Sequence, residues 1–474
     1  ITMKKYHFLL TILFLAACGG SAEPTAVPQP TEEIAAAPEI TAEPTDTAVP
    51  QAAPTEASAV NTLVPEPPTA TAPPTAASTD TEAEPTATEE TEETAVPEAE
   101  PTETAVEITE PTAEPTSETA VEPTSASQPP PAVDPGEVPP VISNEYPDNN
   151  DKTGWENRIN VPAGFDVTYV GRIEGHPTSM DFGPDGLLYI SNQEGNIFTM
   201  DSSGNVSTFA SGYNTPTGIA FRPGTNQLYV SDRAINESVG GESQISIVGQ
   251  GRLIGGLPCC YTFLHAANGI AFGPDGMGYV GVGARADHGE ILDGSGRQDE
   301  LHPLEAAILR FNPDSGEVSV YARGFRNPYD IAWDANGTLW ATDNAPDYGP
   351  PEEAHRVVPG AEHGYPWYDC DTCFSPPPGV EVLPPTYTFV PHSSPTGITV
   401  YKASQFPSNY YNSKFVALWS AFAGAQKVMR LADGPPQNFA TGFAAPIDVV
   451  VGPDGSMYVT DWATGIVFKI SYTG

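Results

Sequence analysis

The sequence predicts an all-β fold, a six-bladed β-propeller, preceded by a lipoprotein signal peptide and a long acidic tether. A two-strand phrase recurs six times in the last two-thirds of the chain, and no copy carries a helical pattern. The copies fall 39, 51, 61, 67 and 51 residues apart when they are aligned on Ser179, Gly218, Gly269, Asp330, Gly397 and Asp448. Strand-only repeats of this period are typical of propeller blades, one blade per copy.

Each copy reads roughly Pro-x-Gly-Ile-Ala-Phe, a short turn, and Leu-Tyr-Val-Ser-Asp, which predicts two antiparallel strands. In three copies the turn is Gly-Pro-Asp-Gly, at Gly183–Gly186, Gly273–Gly276 and Gly452–Gly455. The copies are Pro177–Ser191, Pro216–Asp232, Ala267–Gly283, Asn327–Asp343, Pro395–Trp419 and Pro446–Asp461. Function in such a ring is expected in the loops over the central channel.

Residues 1–18 are predicted to be a secretion signal. Lys4 and Lys5 precede an apolar run from 7 to 17, which has the layout of a signal peptide and is too short to span a membrane in the mature protein. Leu15-Ala-Ala-Cys18 looks like a bacterial lipobox, which implies cleavage before Cys18 and lipid attachment to its sulfur. The alternative is an ordinary signal peptide with a chance cysteine. We expect an extracytoplasmic protein of the bacterial envelope, held to the membrane by its lipid alone.

Residues 19–154 are predicted to be a disordered linker. From 19 to 150 there is no Lys or Arg, but there are 27 Asp and Glu and 25 of the 52 prolines. Such a segment cannot bury enough apolar surface to offset its conformational entropy. We therefore expect an extended, solvated tether.

The propeller is predicted to occupy residues 155–474. Residues 151–474 contain 17 basic and 34 acidic side chains, a net charge of −17. Nucleic acid is excluded as a partner because phosphate binding requires basic clusters. No stretch of this region is long and apolar enough to cross a bilayer.

The propeller region contains four cysteines: Cys259, Cys260, Cys370 and Cys373. Cys370-Asp-Thr-Cys373 has metal-ligand spacing, so a four-thiolate zinc site is one interpretation. Outside the cell disulfides are favoured, and we expect the two loops to bridge each other, although the pairing stays open.

Two residues in the third and fourth copies are candidates for catalysis. His265 immediately precedes the third copy, where a neutral imidazole beside the channel is suited to accept a proton from a sugar hydroxyl. Arg326, in Gly324-Phe-Arg-Asn-Pro328, would point a permanent positive charge into the channel and stabilise a developing oxyanion. The structural alternatives are a hydrogen-bonding histidine and an arginine that pairs with Asp330, Asp343 or Asp347.

These motifs resemble the glucose/sorbosone dehydrogenase family, soluble propellers that use pyrroloquinoline quinone (PQQ) and calcium. The resemblance covers about 162–472. It is carried by the His265 phrase, by Gly-x-Arg-Asn-Pro, by the interval from Arg326 to Ala345-Pro346, and by the Gly-Tyr-Pro that ends at Pro366. It implies a small sugar substrate and a separate electron acceptor, with His265 as the base and Arg326 stabilising charge on the reduced quinone.

The resemblance also implies a set of cofactor contacts. Asn327, Asn344, His392 and Lys427 match or lie near positions that line PQQ, and the backbone carbonyls of Ala345 and Pro346 match positions that hold calcium.

Two departures keep other functions open. Family members place cations in the last two blades against the carboxylates of PQQ, whereas this chain has Phe443-Ala-Ala-Pro-Ile-Asp448 there, with Lys427 a few residues out of register. Ala284 stands where glucose-oxidising members have an acid that orients the histidine, unless Asp287 takes that part. The alternatives are a non-catalytic propeller that binds carbohydrate or peptide, and a calcium-dependent hydrolase using Asp343, Asp347 and Glu353.

Overall fold

The computed structural model describes residues 145–235, 241–259, 265–287, 301–347, 350–367 and 376–474. The predicted signal peptide with Cys18, nearly all of the tether, and Cys260, Cys370 and Cys373 lie outside these residues. Within them, no helix is long and apolar enough to cross a membrane.

Six four-stranded antiparallel sheets make up the described chain, which confirms the predicted six-bladed propeller. Blade one is β2 (Pro177–Phe182), β3 (Leu188–Asn192), β4 (Asn196–Met200) and β5 (Val206–Ser211). Blade two is β6 (Gly218–Phe221), β7 (Leu228–Ile235), β8 (Gly241–Ile247) and β9 (Gly251–Cys259). Blade three is β10 (Ala267–Phe272), β11 (Gly278–Val282), β12 (Ala307–Phe311) and β13 (Val318–Arg323).

The remaining blades follow the same plan. Blade four is β14 (Pro328–Trp333), β15 (Leu339–Asp343), β16 (Glu352–Arg356) and β17 (Tyr387–Phe389). Blade five is β18 (Pro395–Val400), β19 (Lys414–Leu418), β20 (Lys427–Leu431) and β21 (Gln437–Thr441). Blade six is β22 (Pro446–Val451), β23 (Met457–Asp461) and β24 (Ile466–Tyr472), with β1 (Phe165–Arg172) as its outer strand.

The ring closes because the two ends of the domain share blade six. Strand β1 pairs antiparallel with β24, from Phe165 opposite Tyr472 to Arg172 opposite Ile466. Helix α1 (Lys152–Arg158) precedes β1 and fully buries Trp155, whose ring packs 5.9 Å from Phe468. Each inner strand contacts the next, and β22 contacts β2. The hydrophobic clusters lie largely between neighbouring blades, so the core is distributed around the ring.

The Gly-Pro-Asp-Gly turns connect inner strands to second strands by one repeated device. In the first of them, Asp185 accepts the Leu187 N–H (3.2 Å) and the Tyr189 hydroxyl (3.0 Å). Asp275 and Asp454 make the same pair of bonds in blades three and six. The last glycine of each turn has positive φ (75–80°), which explains why glycine recurs there.

Buried carboxylates link neighbouring inner strands at three steps of the ring. Asp448 accepts the Met180 N–H (2.6 Å), Asp181 accepts the Phe221 N–H (2.7 Å), and Asp330 accepts the Ile398 N–H (2.9 Å). Burial raises the pKa of Asp181 to about 6 and that of Asp448 to about 7, and it raises the pKa of Asp330 well above its usual value. These acids therefore hold their protons more tightly in the fold than in the unfolded chain.

Candidate active site

One backbone position per blade surrounds the mouth of the channel, on the face where the inner strands begin. In five blades, the residue immediately after the second strand donates its N–H to the carbonyl of the residue immediately before the inner strand, at 2.8–3.2 Å. In blade two, Arg233 within β7 donates its N–H to the carbonyl of Asn214, four residues before β6, at 2.9 Å. We call these six residues the mouth ring. In blade order they are Gln193, Arg233, Gly283, Asn344, Trp419 and Trp462. Their backbones are equivalent, so their side chains decide what the mouth can bind.

The loop that carries Arg326 is fixed by the last residue of β15. Asp343 is 2 % exposed and accepts the N–H groups of Arg326 (3.0 Å) and Asn327 (2.7 Å). Asp461 does the same for Ala444 and Ala445 in blade six (2.8 Å each). The terminal Asp of the repeated phrase thus orients the loop that precedes the inner strand, and in blade four this loop carries the arginine.

His265 reaches the same place from blade three. It is 5 % exposed and lies next to Gly283 of the mouth ring. A Cβ at residue 283 would stand 2.8 Å from Asn327 Oδ1 and 3.4 Å from His265 Cα, so glycine makes room for both residues. Asn268, fully buried, donates to Asn327 Oδ1 (2.9 Å) and joins the two blades. The third and fourth copies therefore converge, as the sequence predicts for His265 and Arg326.

The Arg326 guanidinium is held by two oxygens and approaches a third. Its Nη2 lies 2.5 Å from Asp287 Oδ1 and 3.8 Å from Asp347 Oδ1, and its Nη1 donates to the Asn344 carbonyl (3.2 Å). Of the partners weighed from the sequence, Asp347 lies near the side chain and Asp343 bonds the backbone, while Asp330 bonds Ile398 instead. Asp287 faces Arg326, and Ala284 donates its N–H to the Arg326 carbonyl (2.7 Å).

Electrostatics keep the histidine neutral and the arginine charged. Burial lowers the pKa of His265 well below its usual value, and the Arg326 charge lowers it further, against weaker opposing effects of Asp287 and the Ala284 backbone. Burial alone would lower the pKa of Arg326, but Asp287, Asp347 and Glu352 outweigh that effect and raise it. A neutral imidazole beside a permanent cation is the state required of a general base near a developing negative charge.

A buried acid fixes the turn at Ala345-Pro346. Glu352, 4 % exposed, accepts the N–H groups of Ala345 (2.9 Å) and Ser394 (3.3 Å), and so joins blades four and five. Burial raises the pKa of Glu352 to about 8, despite these bonds and the nearby Arg326. No described N–H donates to the carbonyls of Ala345 or Pro346, so these oxygens are open to a cation.

Two of the predicted lining residues join this group and one does not. Asn344 donates to the Pro395 carbonyl (2.7 Å). Burial lowers the pKa of His392, and the charges of Asp347, Arg326 and Asp287 also act on it, which locates it at the same site. Lys427 instead donates to Asn438 Oδ1 (3.2 Å) on β21. Burial alone lowers the pKa of Lys427, and no charge at the mouth acts on it, so this lysine does not join the group.

The channel is closed beneath the mouth by side chains. Tyr329 is 2 % exposed, and its hydroxyl donates across the ring to the Thr178 carbonyl (3.1 Å). It packs with Ile447, and Trp419 and Trp462 of the mouth ring pack against this pair. The floor of the mouth is therefore apolar and aromatic. Two cavities, of about 350 and 650 Å³, lie away from the mouth, beside Lys469 and beside Trp333. The candidate site is therefore identified by the residues that converge at the mouth and not by cavity volume.

Sequence reasoning did not single out several of these groups. Arg233 of blade two is 4 % exposed, burial lowers its pKa to about 10, and its charge acts on His265. Trp419 and Trp462 were likewise not anticipated. A signal existed: each mouth-ring residue lies at the end of a repeated phrase or within two residues beyond it, so aligning the phrase ends would have found the ring.

Asp343 also belongs to a second group of side chains. Ligand atoms of Asp343, Glu353 and His355 lie within 4.8 Å of one another, and His355 Nε2 is 2.9 Å from Glu353 Oε2. The hydrolase alternative named Asp343, Asp347 and Glu353, of which the structure joins the first and third. Separately, Cys259 is disulfide-bonded, as expected for this residue; its three candidate partners lie outside the described chain.

Comparisons with known proteins agree with this description. The glucose/sorbosone dehydrogenase family model matches residues 252–468. A curated, uncharacterised protein of Borreliella burgdorferi is 22 % identical over 358 residues, which are 66 % of this chain and 91 % of that protein. The resemblance stated from the sequence motifs is confirmed.

Solved structures share the fold. A glucose dehydrogenase is 18 % identical with a TM-score of 0.51, covering 64 % of this chain and 98 % of its own. The holo PQQ domain of pyranose dehydrogenase from Coprinopsis cinerea is 16 % identical with a TM-score of 0.51, covering 66 % and 97 %. The soluble aldose sugar dehydrogenase of Escherichia coli, in its apo form, is 16 % identical with a TM-score of 0.50, covering 65 % and 99 %.

Proposed function

We propose that this chain, a propeller of the glucose/sorbosone dehydrogenase family, is a membrane-anchored extracytoplasmic dehydrogenase that oxidises an aldose or sorbosone-like sugar with PQQ and calcium. The observation that carries the proposal is the convergence of a neutral His265 and a charged Arg326 at the mouth of the channel. The tether and the lipobox at Cys18 support work at the cell envelope, with electrons passing to a separate acceptor.

Calcium fits the blade-four side of the mouth. The carbonyls of Ala345 and Pro346 have no described donor, and the carboxylates of Asp347 and Glu352 are close by. Oxygen atoms, carboxylate and carbonyl, are the ligands that this hard cation prefers. A bound Ca²⁺ would also offset the excess of acids around Arg326, which otherwise opposes an anionic ligand.

PQQ fits the blade-three and blade-four side once that charge is offset. Arg326, Asn327, Asn344 and His392 would line it there. Blades five and six would add only aromatic surface, because Trp419 and Trp462 occupy their mouth-ring positions. When bound, this cofactor supplies a two-electron acceptor for the carbon-bound hydrogen of the sugar.

The residues of the chain supply the proton chemistry and the charge. His265, kept neutral by burial and by Arg326, would accept the hydroxyl proton of the sugar at an imidazole nitrogen. Arg326, oriented by Asp343 and Asp287, would stabilise negative charge that develops opposite the histidine. Asn268 holds Asn327 in place and so fixes the distance between the two blades.

Titration of the full chain with PQQ and Ca²⁺, followed by sugar-dependent reduction of a dye, tests this function. We expect saturable cofactor binding, and a loss of dye reduction of about 100-fold or more in His265→Ala without a comparable loss of melting temperature, because general-base catalysis contributes about 10²–10⁴-fold. Absence of saturable PQQ binding at micromolar concentration would end the proposal.

A matched pair of arginine variants separates catalysis from structure. Arg326→Lys is expected to lose most activity, since a lysine cannot reproduce the fork that meets Asp287 and Asn344. Arg222→Lys is the control, because Arg222 makes a similar double contact with Asp314 at the opposite end of an inner strand. Full turnover in Arg326→Lys would show that the guanidinium has no catalytic part.

A second candidate function is a carbohydrate-binding propeller without redox chemistry. It is favoured by the aromatic mouth-ring residues in blades five and six, where the family carries cations for PQQ. Under this alternative the purified chain would bind an immobilised glycan without any cofactor and would reduce no dye.

A further inference from the structure

The mouth ring is divided into two chemically different halves. Blades two, three and four contribute Arg233, Gly283 and Asn344, beside His265 and Arg326. Blades five and six contribute two adjacent tryptophans, Trp419 and Trp462, whose ring centroids are 5.4 Å apart at an interplanar angle of 87°. Both indoles are only partly buried, and both pack on the floor made by Tyr329 and Ile447. They therefore line the part of the mouth that blades five and six form, which begins next to blade four and its Arg326.

The aromatic surface continues into blade one. The His176 ring lies 4.4 Å from the Trp462 ring, and the Trp462 Nε1–H donates to Gln193 Oε1 (3.3 Å). His176 is paired with Glu194 at 2.5 Å, and both side chains are 42 % exposed. We call Trp419, Trp462 and His176 the aromatic row. Polar groups that can bond hydroxyls thus flank a nearly continuous aromatic surface.

A buried donor in the row is unsatisfied. Trp419 Nε1 is buried and has no hydrogen-bond partner among the described residues. A buried N–H without an acceptor destabilises the fold, because it has lost its hydrogen bond to water. A ligand oxygen would remove that destabilisation.

The charge around the row favours a neutral ligand. Trp419 and Trp462 replace any cation at their ring positions, and the loop into β22 contributes Ala444 and Ala445. The carboxylate of Glu194 lies beside the row, bonded to His176, and residues 151–474 carry 17 basic against 34 acidic side chains. An anion would meet net repulsion without a compensating cation in the row, whereas the apolar face of an uncharged sugar ring can pack on an indole.

We propose that the aromatic row is a binding subsite for an uncharged pyranose ring. The ring packs its C–H face on the indoles of Trp419 and Trp462, and its hydroxyls bond Trp419 Nε1, Gln193 and Glu194. This inference deepens the proposed function, on which it rests for placing a sugar at the mouth, and it restricts the substrate to neutral sugars. It also assigns a sugar-binding role to the part of the mouth where PQQ-binding relatives are expected to carry cations.

Sugar binding by the full chain without PQQ and in EDTA tests the subsite. D-glucose, maltose and D-glucuronate are titrated into the wild type, Trp419→Ala, Trp462→Ala and the control Trp333→Ala, by calorimetry and by tryptophan fluorescence. Trp333 is also partly buried but stands at the far end of β14, beside Gly273 and Lys402. Melting temperatures verify that each variant is folded.

We expect the neutral sugars to bind more tightly than glucuronate, and each row variant to weaken neutral-sugar binding by about tenfold, while Trp333→Ala keeps the wild-type affinity. Unchanged affinity in both row variants, or tighter binding of glucuronate, overturns the subsite. Sugar binding that depends on Trp462 in a chain that fails to bind PQQ would refute the dehydrogenase and keep the subsite. Dye reduction by the wild type, together with unchanged sugar affinity in the row variants, would support the dehydrogenase and refute the subsite.

Discussion

Replacing Asp343 by asparagine tests whether the repeat device that orients each loop also orients the catalytic arginine. The Asp343 carboxylate accepts the backbone N–H groups of Arg326 at 3.0 Å and of Asn327 at 2.7 Å, one on each oxygen. An asparagine offers one oxygen and turns an amide NH₂ toward the second N–H. Hydrogen bonds to charged groups contribute about 1.5–3 kcal/mol each, so we expect a loss of about 2 kcal/mol in the free energy of unfolding.

The chain contains a matched control for this change. Asp461 accepts the N–H groups of Ala444 and Ala445 at 2.8 Å each, in a loop that carries no candidate catalytic residue. Both of these N–H groups bond Asp461 Oδ2, and Oδ1 accepts the N–H and the hydroxyl of Thr464. Asp461→Asn places its amide NH₂ against Thr464 and should therefore also lose a hydrogen bond to a buried charge, at a cost in the free energy of unfolding of the same order.

Activity separates the two variants. Asp343→Asn is expected to lower sugar-dependent dye reduction at least about tenfold, because misplacing a positioned group by about 1 Å can cost about 100-fold. Asp461→Asn is expected to stay within about twofold of the wild type once both are assayed well below their melting temperatures. Chemical denaturation and steady-state kinetics on the same preparations give both quantities. Equal losses of activity in the two variants would refute the argument, because stability alone would then explain them.

Three further outcomes follow from charge. Asp448 has an ordinary pKa of 3.8 that burial raises to about 7. The stability that its proton contributes is therefore complete below pH 4 and is lost as the pH rises through about 7, a change in the free energy of unfolding on the order of 4 kcal/mol. Asp448→Asn should make the melting temperature nearly independent of pH between pH 5 and 8. Because the pKa of His265 lies well below 6.5, sugar oxidation should show no loss of rate centred at that pH, and a midpoint at 6.5 in kcat/KM would contradict its assignment as the base. Glu352 has an ordinary pKa of 4.5 that burial raises to about 8, so the stability that its proton contributes is complete below about pH 4.5 and is lost as the pH rises through about 8. Glu352→Gln, whose amide does not titrate, should remove this pH dependence of the melting temperature between pH 5 and 8.

The sequence predicts the fold well because the repeat records one structural unit six times. The Gly-Pro-Asp-Gly turns make the same hydrogen bonds in three blades, and the Asp that ends three of the phrases accepts a loop N–H in each, so a single local pattern specified each device. Closure of the ring by β1 could not be inferred from the phrase, because β1 lies before the first copy and pairs with β24 about 300 residues later.

The site is less predictable because it is assembled between blades. His265 and Arg326 were found by motif, but Asp287 meets Arg326 from a position three residues after Ala284, where the motif has its acid. Only the path of the loop after β11 determines which group this carboxylate reaches. Arg233 is unremarkable in sequence, and its effect on His265 arises from the contact of blades two and three.

The mouth ring explains how one propeller can keep its fold while the ligand changes. Each of its six residues is held by the same backbone hydrogen bond, which is indifferent to the side chain. A substitution at Trp419 or Trp462, which are only partly buried, alters the chemistry of the mouth, whereas a side chain at Gly283 would meet Asn327. A cation in place of Trp419 or Trp462 would favour an anionic cofactor, and an indole favours the apolar face of a sugar. Trp462→Lys should therefore strengthen PQQ binding and weaken the binding of neutral sugars. If both affinities rise or fall together in this variant, the division of the mouth is contradicted.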